Sequence, residues 1–151
     1  MKLVSQAGEN WRYQLSQTEA GILLGLLQQF PCTDLGPVQL SKTDEDPKAE
    51  ERQKLLAESL AQHRQELKSL AVNLLGEDQW RPSGTGRLLT LKSESREILL
   101  RILNDLRVGC WQALGEPDPL EQPITSRKQL AHRQLMELAG YFEMNLLAPG
   151  V

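Results

Sequence analysis

Asn104, Asp105, Arg107 and Trp111 are the residues of this chain whose types and spacing could do chemistry together. They stand in LNDLRVGCW, inside an otherwise apolar segment, where polar groups need partners: an unpaired buried amide costs about 1–3 kcal/mol. The Arg107 guanidinium can meet an anion, and Trp111, one turn later, can supply a wall beside it. The competing role is structural. Asn104 or Asp105 would satisfy the backbone of a loop or strand, while Arg107 clamps the carboxyl end of a neighbouring helix or the acids of the DEDP stretch.

Other reactive side chains give less. His63 falls in the apolar stripe of its own helix and could be a metal ligand or proton carrier. The chain has two histidines and two cysteines, with no H-x-x-x-H or E-x-x-H spacing, which is a poor ligand count for zinc. His63 is therefore expected in the core or at its rim, bonded to a neighbour, with His132 beside the stripe of the last helix. Cys110 lies on a core face, where cysteine packs as a small apolar residue, and nothing places a base beside it. SGTGR lacks the spacing and lysine of a phosphate loop and is expected to be a turn from helix to strand. No catalytic residue, cofactor or metal is expected.

A single rod must position the four candidate residues. Ser93 to Gly115 reads as one long helix, and on a wheel Ile98, Leu99, Ile102, Leu103, Leu106, Cys110, Ala113 and Leu114 share one broad face that includes Gly109. Leu100, Asn104, Arg107 and Trp111 form a second line opposite, so the helix is expected between others. Glu97, Arg101 and Asp105 follow at intervals of four along an edge. Each such pair, if exposed, contributes about 0.3–0.5 kcal/mol. Ser93 suits the cap, and Gly115 a left-handed stop.

The remaining elements follow from local signals. Lys2 to Val4 and Trp11 to Leu15, separated by AGEN, predict a hairpin. Ser16 with Glu19 makes a capping box for a helix from Gln17 to about Phe30, stopped by Pro31. Gly21 and Gly25 in that helix suggest local close packing. A proline-rich connection from Pro31 to Asp46 leads to an Asp46–Pro47 cap and a helix reaching Leu75, with Gly76 as its stop. The stripe of that helix is Ala49, Leu56, Leu60, His63, Leu67, Leu70, Ala71 and Leu74. Glu77 to Gly86 reads as a loop, and Arg87 to Leu91 as a third strand, since two strands alone are marginal. After a second proline-punctuated connection, EPDPLEQP, Ser126 with Gln129 caps a last helix to about Leu147, cored by Ala131, Leu135, Leu138, Ala139, Phe142 and Leu146. The expected architecture is mainly α: a single four-helix domain over residues 1–151 with a small antiparallel hairpin or three-stranded sheet.

Composition narrows the function classes. With 151 residues, 40% hydrophobic and 25% charged, the chain fits one globular domain. A net charge of -3 gives no electrostatic case for nucleic acid, and no basic patch is visible along the sequence. The longest apolar run, Ile22 to Leu27, is too short to span a membrane, and Glu9 and Arg12 interrupt any leader-like start. Cys32 and Cys110 do not make a disulfide framework, so a cytoplasmic setting is expected. The DEDPKAEER stretch is a solvated helix start that could also attract a basic partner.

The order of an amino-terminal strand and capped helix, the acidic DEDP, the RLLTL strand and then LNDLR followed by ALG resembles a family of uncharacterised small bacterial proteins. That family is a domain of unknown function carrying an L-N-D-L-R core late in the chain, which here is Leu103 to Arg107. The resemblance implies a small single-domain bacterial protein, in some genomes encoded near the adaptor of the Clp protease. It implies no activity and no role for His63, Cys110 or Trp111. The function expected from the residues is a non-enzymatic protein-interaction module, homodimeric or adaptor-like, with Trp11, Trp80 and Trp111 available for contact. The alternative is a small-molecule or anion-binding protein, or an enzyme of unfamiliar type, built on Asn104, Asp105 and Arg107.

Overall fold

The computed structural model describes residues 1–30, 48–74, 76–115 and 126–148. Strands β1 (Lys2–Ala7) and β2 (Asn10–Leu15) form the expected hairpin. Helix α1 (Gln17–Gln29) opens with the capping box read from the sequence: Glu19 N–H donates to Ser16 Oγ at 3.1 Å, and Ser16 N–H donates to Glu19 Oε2 at 2.8 Å. Helix α2 (Ala49–Leu74) leads through a 3-10 turn, Glu77–Gln79, to β3 (Trp80–Ser83) and β4 (Gly86–Lys92). Helices α3 (Ser93–Ala113) and α4 (Arg127–Leu147) follow, and α4 carries the expected cap, with Gln129 N–H donating to Ser126 Oγ at 3.2 Å. The expected Pro31–Asp46 and EPDPLEQP connections, the Asp46–Pro47 cap, Cys32 and the end of the second helix at Leu75 lie outside the described residues.

Among the described residues the sheet has four strands in the order β1-β2-β4-β3, every neighbouring pair antiparallel. This corrects the expected hairpin or three strands. Trp80 to Ser83 reads as a loop because of Pro82, but β3 is an edge strand, where a missing N–H leaves no ladder bond unmade. SGTG is the turn of the β3–β4 hairpin rather than a link from helix to strand. Gly84 there takes φ +59, and a side chain at Gly86 would collide with the Leu15 carbonyl.

Tyr13, Leu15, Leu89 and Leu91 are all but fully buried, because α1 and α3 pack against β2 and β4 while α4 reaches β1. The helices thus lie on one face of the sheet, and alternation along the strands turns the other face outward. Helix α3 packs most extensively against α4 and also touches α2, α1, β2 and β4, which gives it the central position expected.

It is not enclosed, however. Leu99, Ile102, Leu103, Leu106 and Cys110 are buried, Leu100 and Trp111 are half-buried, and Glu97, Arg101, Asn104, Val108 and Gln112 form an exposed stripe. Its start also differs from expectation. The N-cap is Lys92, without a side-chain bond, and Ser93 is the first helical residue. Ser93 N–H donates to the Glu9 carbonyl at 2.8 Å, so the β1–β2 turn supplies what a cap would. Gly115, at φ +87, follows the helix as expected.

Two predicted stripes are rotated. On α2 the buried residues are Leu67, Ala71 and Leu74, while His63 and Leu70 are exposed. The packed line runs toward Arg64, which reaches α3, and His63 lies on the margin away from it. On α4 the buried line is His132, Met136, Ala139, Phe142, Glu143 and Leu146, with Ala131 exposed and Leu135 and Leu138 half-buried. Packing against α3 selects the face that carries His132 and Glu143. Among the described residues, nothing lies within 4 Å of a Cβ added at Gly21 or Gly25, so these residues show no close packing there.

Candidate functional site

The three polar residues of the LNDLR segment diverge. Asn104 is exposed on the outer side of α3. Asp105 turns toward α2, its Oδ2 3.8 Å from Arg64 Nε. Arg107 turns toward α4, where Nη1 donates to Glu143 Oε2 at 2.8 Å. The Arg107 side chain crosses Gly140, whose missing Cβ would lie 3.7 Å from Nε. Trp111, one turn beyond, is half-buried. The structure therefore does not gather these four residues around one cavity. Arg107 clamps an acid of α4 where the sequence points to a helix end or the DEDP acids, and DEDP lies outside the described residues. Its partner Glu143 is buried, and Glu143 Oε1 has no hydrogen-bond partner among the described residues, so the Arg107 guanidinium compensates the buried charge.

The best-built polar constellation centres on Arg96, which sequence reasoning missed. Its guanidinium stacks over the Trp11 ring, 4.2 Å from the centroid. Nε donates to the Tyr13 hydroxyl at 3.1 Å and Nη2 to the Leu146 carbonyl at 2.6 Å. That carbonyl belongs to the last turn of α4, where carbonyls lack helical partners and a cation suits the dipole. Burial pushes the Tyr13 hydroxyl pKa up, and the adjoining Arg96 opposes the shift. No periodicity links residues this far apart, so nothing in the sequence marks the group.

A second junction joins Glu19, Tyr141 and the Met1 amino group. The amine ion-pairs with Glu19 and donates to the Tyr141 hydroxyl at 3.1 Å, and that hydroxyl donates to Glu19 Oε1 at 2.6 Å. The bond from the amine, then that from Tyr141, hold the Glu19 carboxyl down at about 2. The same carboxylate raises the Tyr141 pKa.

Two exposed surfaces lie apart from these groups. Tyr141, Met144 and Leu147 line the outer side of α4, with Met144 72% and Leu147 61% exposed. The three tryptophans expected to offer contacts are instead half-buried. The second surface is the outward sheet face, which carries Lys2, Arg12, Arg81 and Lys92, all exposed. A pocket of about 560 Å³ lies between α1 and the β3–β4 hairpin, lined by Gln17, Leu24, Trp80 and Arg87 among others. None of the four candidate residues lines it.

Among the described residues no helix is long and apolar enough to cross a membrane. No protein-family model, curated protein or solved structure matches this chain.

Proposed function

We propose that this domain is a non-enzymatic protein-interaction module that pairs with a second copy of itself through the outer side of α4 and the edge of β1. The observation that carries this reading is the exposure of Met144 and Leu147 beside a strand whose outer edge has no partner among the described residues. Tyr141 contacts Met1, and the Leu146 carbonyl accepts from Tyr13, the strand partner of Leu3. The carboxyl half of α4 therefore runs along β1. Apolar side chains grouped in this way mark interaction surfaces more often than single exposed residues do.

The two sheet edges differ in kind. β3 has four residues and includes Pro82, whereas β1 has six and no proline. Among the described residues nothing pairs with the outer edge of β1. An open edge offers a row of N–H and C=O groups to another chain, and the irregularity between Leu3 and Ser5 leaves most of this row available. Antiparallel pairing of β1 with its copy about a two-fold axis brings both α4 helices together, so that Met144 and Leu147 are covered on each.

Light scattering at micromolar concentration is expected to report twice the chain mass. Met144→Asp with Leu147→Asp is expected to give the mass of one chain at an unchanged helical signal, because both side chains lie outside the core. A wild-type protein that stays monomeric at that concentration defeats the reading.

A further inference from the structure

The outward face of the sheet is cationic, and its charge is contributed by residues that are far apart in the sequence. Register places Lys2, Gln14, Leu88 and Arg81 in one row across β1, β2, β4 and β3. Ser5, Arg12 and Thr90 form the next row, and Ala7, Asn10 and Lys92 the third. Strands about 4.8 Å apart make the first row about 14 Å wide, and successive rows are about 7 Å apart. Four cations thus occupy a patch the size of a short peptide, although the whole chain has 20 acids against 17 bases.

None of these paired positions is acidic. Glu9 lies in the β1–β2 turn, Glu94 in the first turn of α3, and Glu77 and Asp78 in the 3-10 turn ahead of β3. Lys2, Arg12, Arg81 and Lys92 form no ion pair among the described residues, whereas Arg64, Arg96, Arg107 and Arg133 all do. A sheet face kept solvated for its own sake carries both signs as well as one. The charged members of these rows are all cations, and between them stand the hydrogen-bonding side chains of Gln14, Thr90, Asn10 and Ser5 as well as the apolar Leu88 and Ala7.

We infer that the open face of the sheet is a docking surface for an acidic segment of a partner protein. Arg12 and Arg81 offer forked donors to carboxylates, Lys2 and Lys92 offer point charges, and the amides and hydroxyls between them can bond a peptide backbone. A nucleic acid fits this face less well. Sheets that bind single strands stack bases on aromatic rings, and here Trp11 and Tyr13 point to the helices while no paired position on the outer face is aromatic. The net negative charge of the chain also opposes a long polyanion. Docking here uses a different surface from self-association through α4, so each stands without the other.

The test is fluorescence anisotropy with a labelled oligo-glutamate peptide, long enough at about 3.3 Å per residue to cross the face, alongside labelled oligo-thymidylate. Salt-sensitive binding of the peptide is expected, weakened about tenfold or more by Arg12→Glu with Arg81→Glu. Arg101→Glu, on the exposed stripe of α3, is expected to leave that affinity unchanged. Arg12→Gln with Arg81→Gln gives a smaller loss and serves as the comparison if the double reversal does not fold. The inference is overturned if the wild-type protein does not bind the peptide at low salt, or if oligo-thymidylate binds as tightly. It is equally overturned if neither arginine pair alters the affinity, or if Arg101→Glu weakens it as much as they do.

Discussion

Arg107 shows how one polar side chain can be legible in type but not in partner. Its place in LNDLR announces a charge that must be answered, yet the answer, Glu143, sits on α4 at a distance that no helical spacing encodes. The pair is asymmetric, with the Arg107 side chain 46% exposed and that of Glu143 only 11%. Removing the arginine leaves a buried carboxylate without its counter-charge, whereas neutralising the acid leaves an exposed cation that water can solvate. Arg107→Ala is therefore expected to lower unfolding stability by about 1–2 kcal/mol, a figure discounted for the solvent around the guanidinium. Glu143→Gln is expected to cost less than about 1 kcal/mol. Urea unfolding of both variants and their combination reads the coupling, and additive losses would remove Arg107 from its role as the clamp. Asn104 lies exposed on the outer side of α3, and Asp105 answers to α2. The apolar context of the sequence made them look like one site, but the helix directs them to different sides.

At the scale of elements, the parts governed by neighbouring residues were readable. The capping box of α1 and the Ser126 cap of α4 follow from side chains reaching three residues along the chain, and the first hairpin from strand-forming residues on either side of the AGEN turn. What depended on distant partners was not. β3 was hidden by Pro82, which is tolerated only because that strand ends up at an edge. The stripes of α2 and α4 were rotated because α3 chose which flank to cover, leaving His63 outside and burying His132 and Glu143. The glycines of α1 make the same point. Their spacing suggests a close neighbour, yet among the described residues an added methyl at either position meets nothing within 4 Å. Gly21→Ala and Gly25→Ala are therefore each expected to stabilise the protein by about 0.5–1 kcal/mol through helix propensity and a less flexible unfolded chain. Thermal unfolding of the single variants and the pair checks this, and a loss of stability at either position would reveal a neighbour at that face.

For the whole molecule, the sheet and helices divide the labour. One sheet face builds the core and the other gathers cations that lie scattered in the sequence, which is why a count of charges along the chain showed no basic patch. The junction of Glu19, Tyr141 and the Met1 amine ties the start of β1 and the first turn of α1 to α4, and its charge gives the fold a pH signature. Holding the Glu19 carboxyl at about 2, against an ordinary 4.5, means that folding favours the ionised form. That contribution is complete above pH 4.5 and is lost as the pH falls through about 2, where the folded protein also takes up the proton. Glu19→Gln isolates the effect, because a glutamine at this position retains the reciprocal bond of the capping box while giving up the charge. At neutral pH the variant is expected to melt below the wild type, and the gap to close as both are titrated from pH 4.5 toward about 2. A gap that stayed constant over that window would trace the role of Glu19 to the cap of α1 alone, and the tie between β1 and α4 would then owe nothing to its charge.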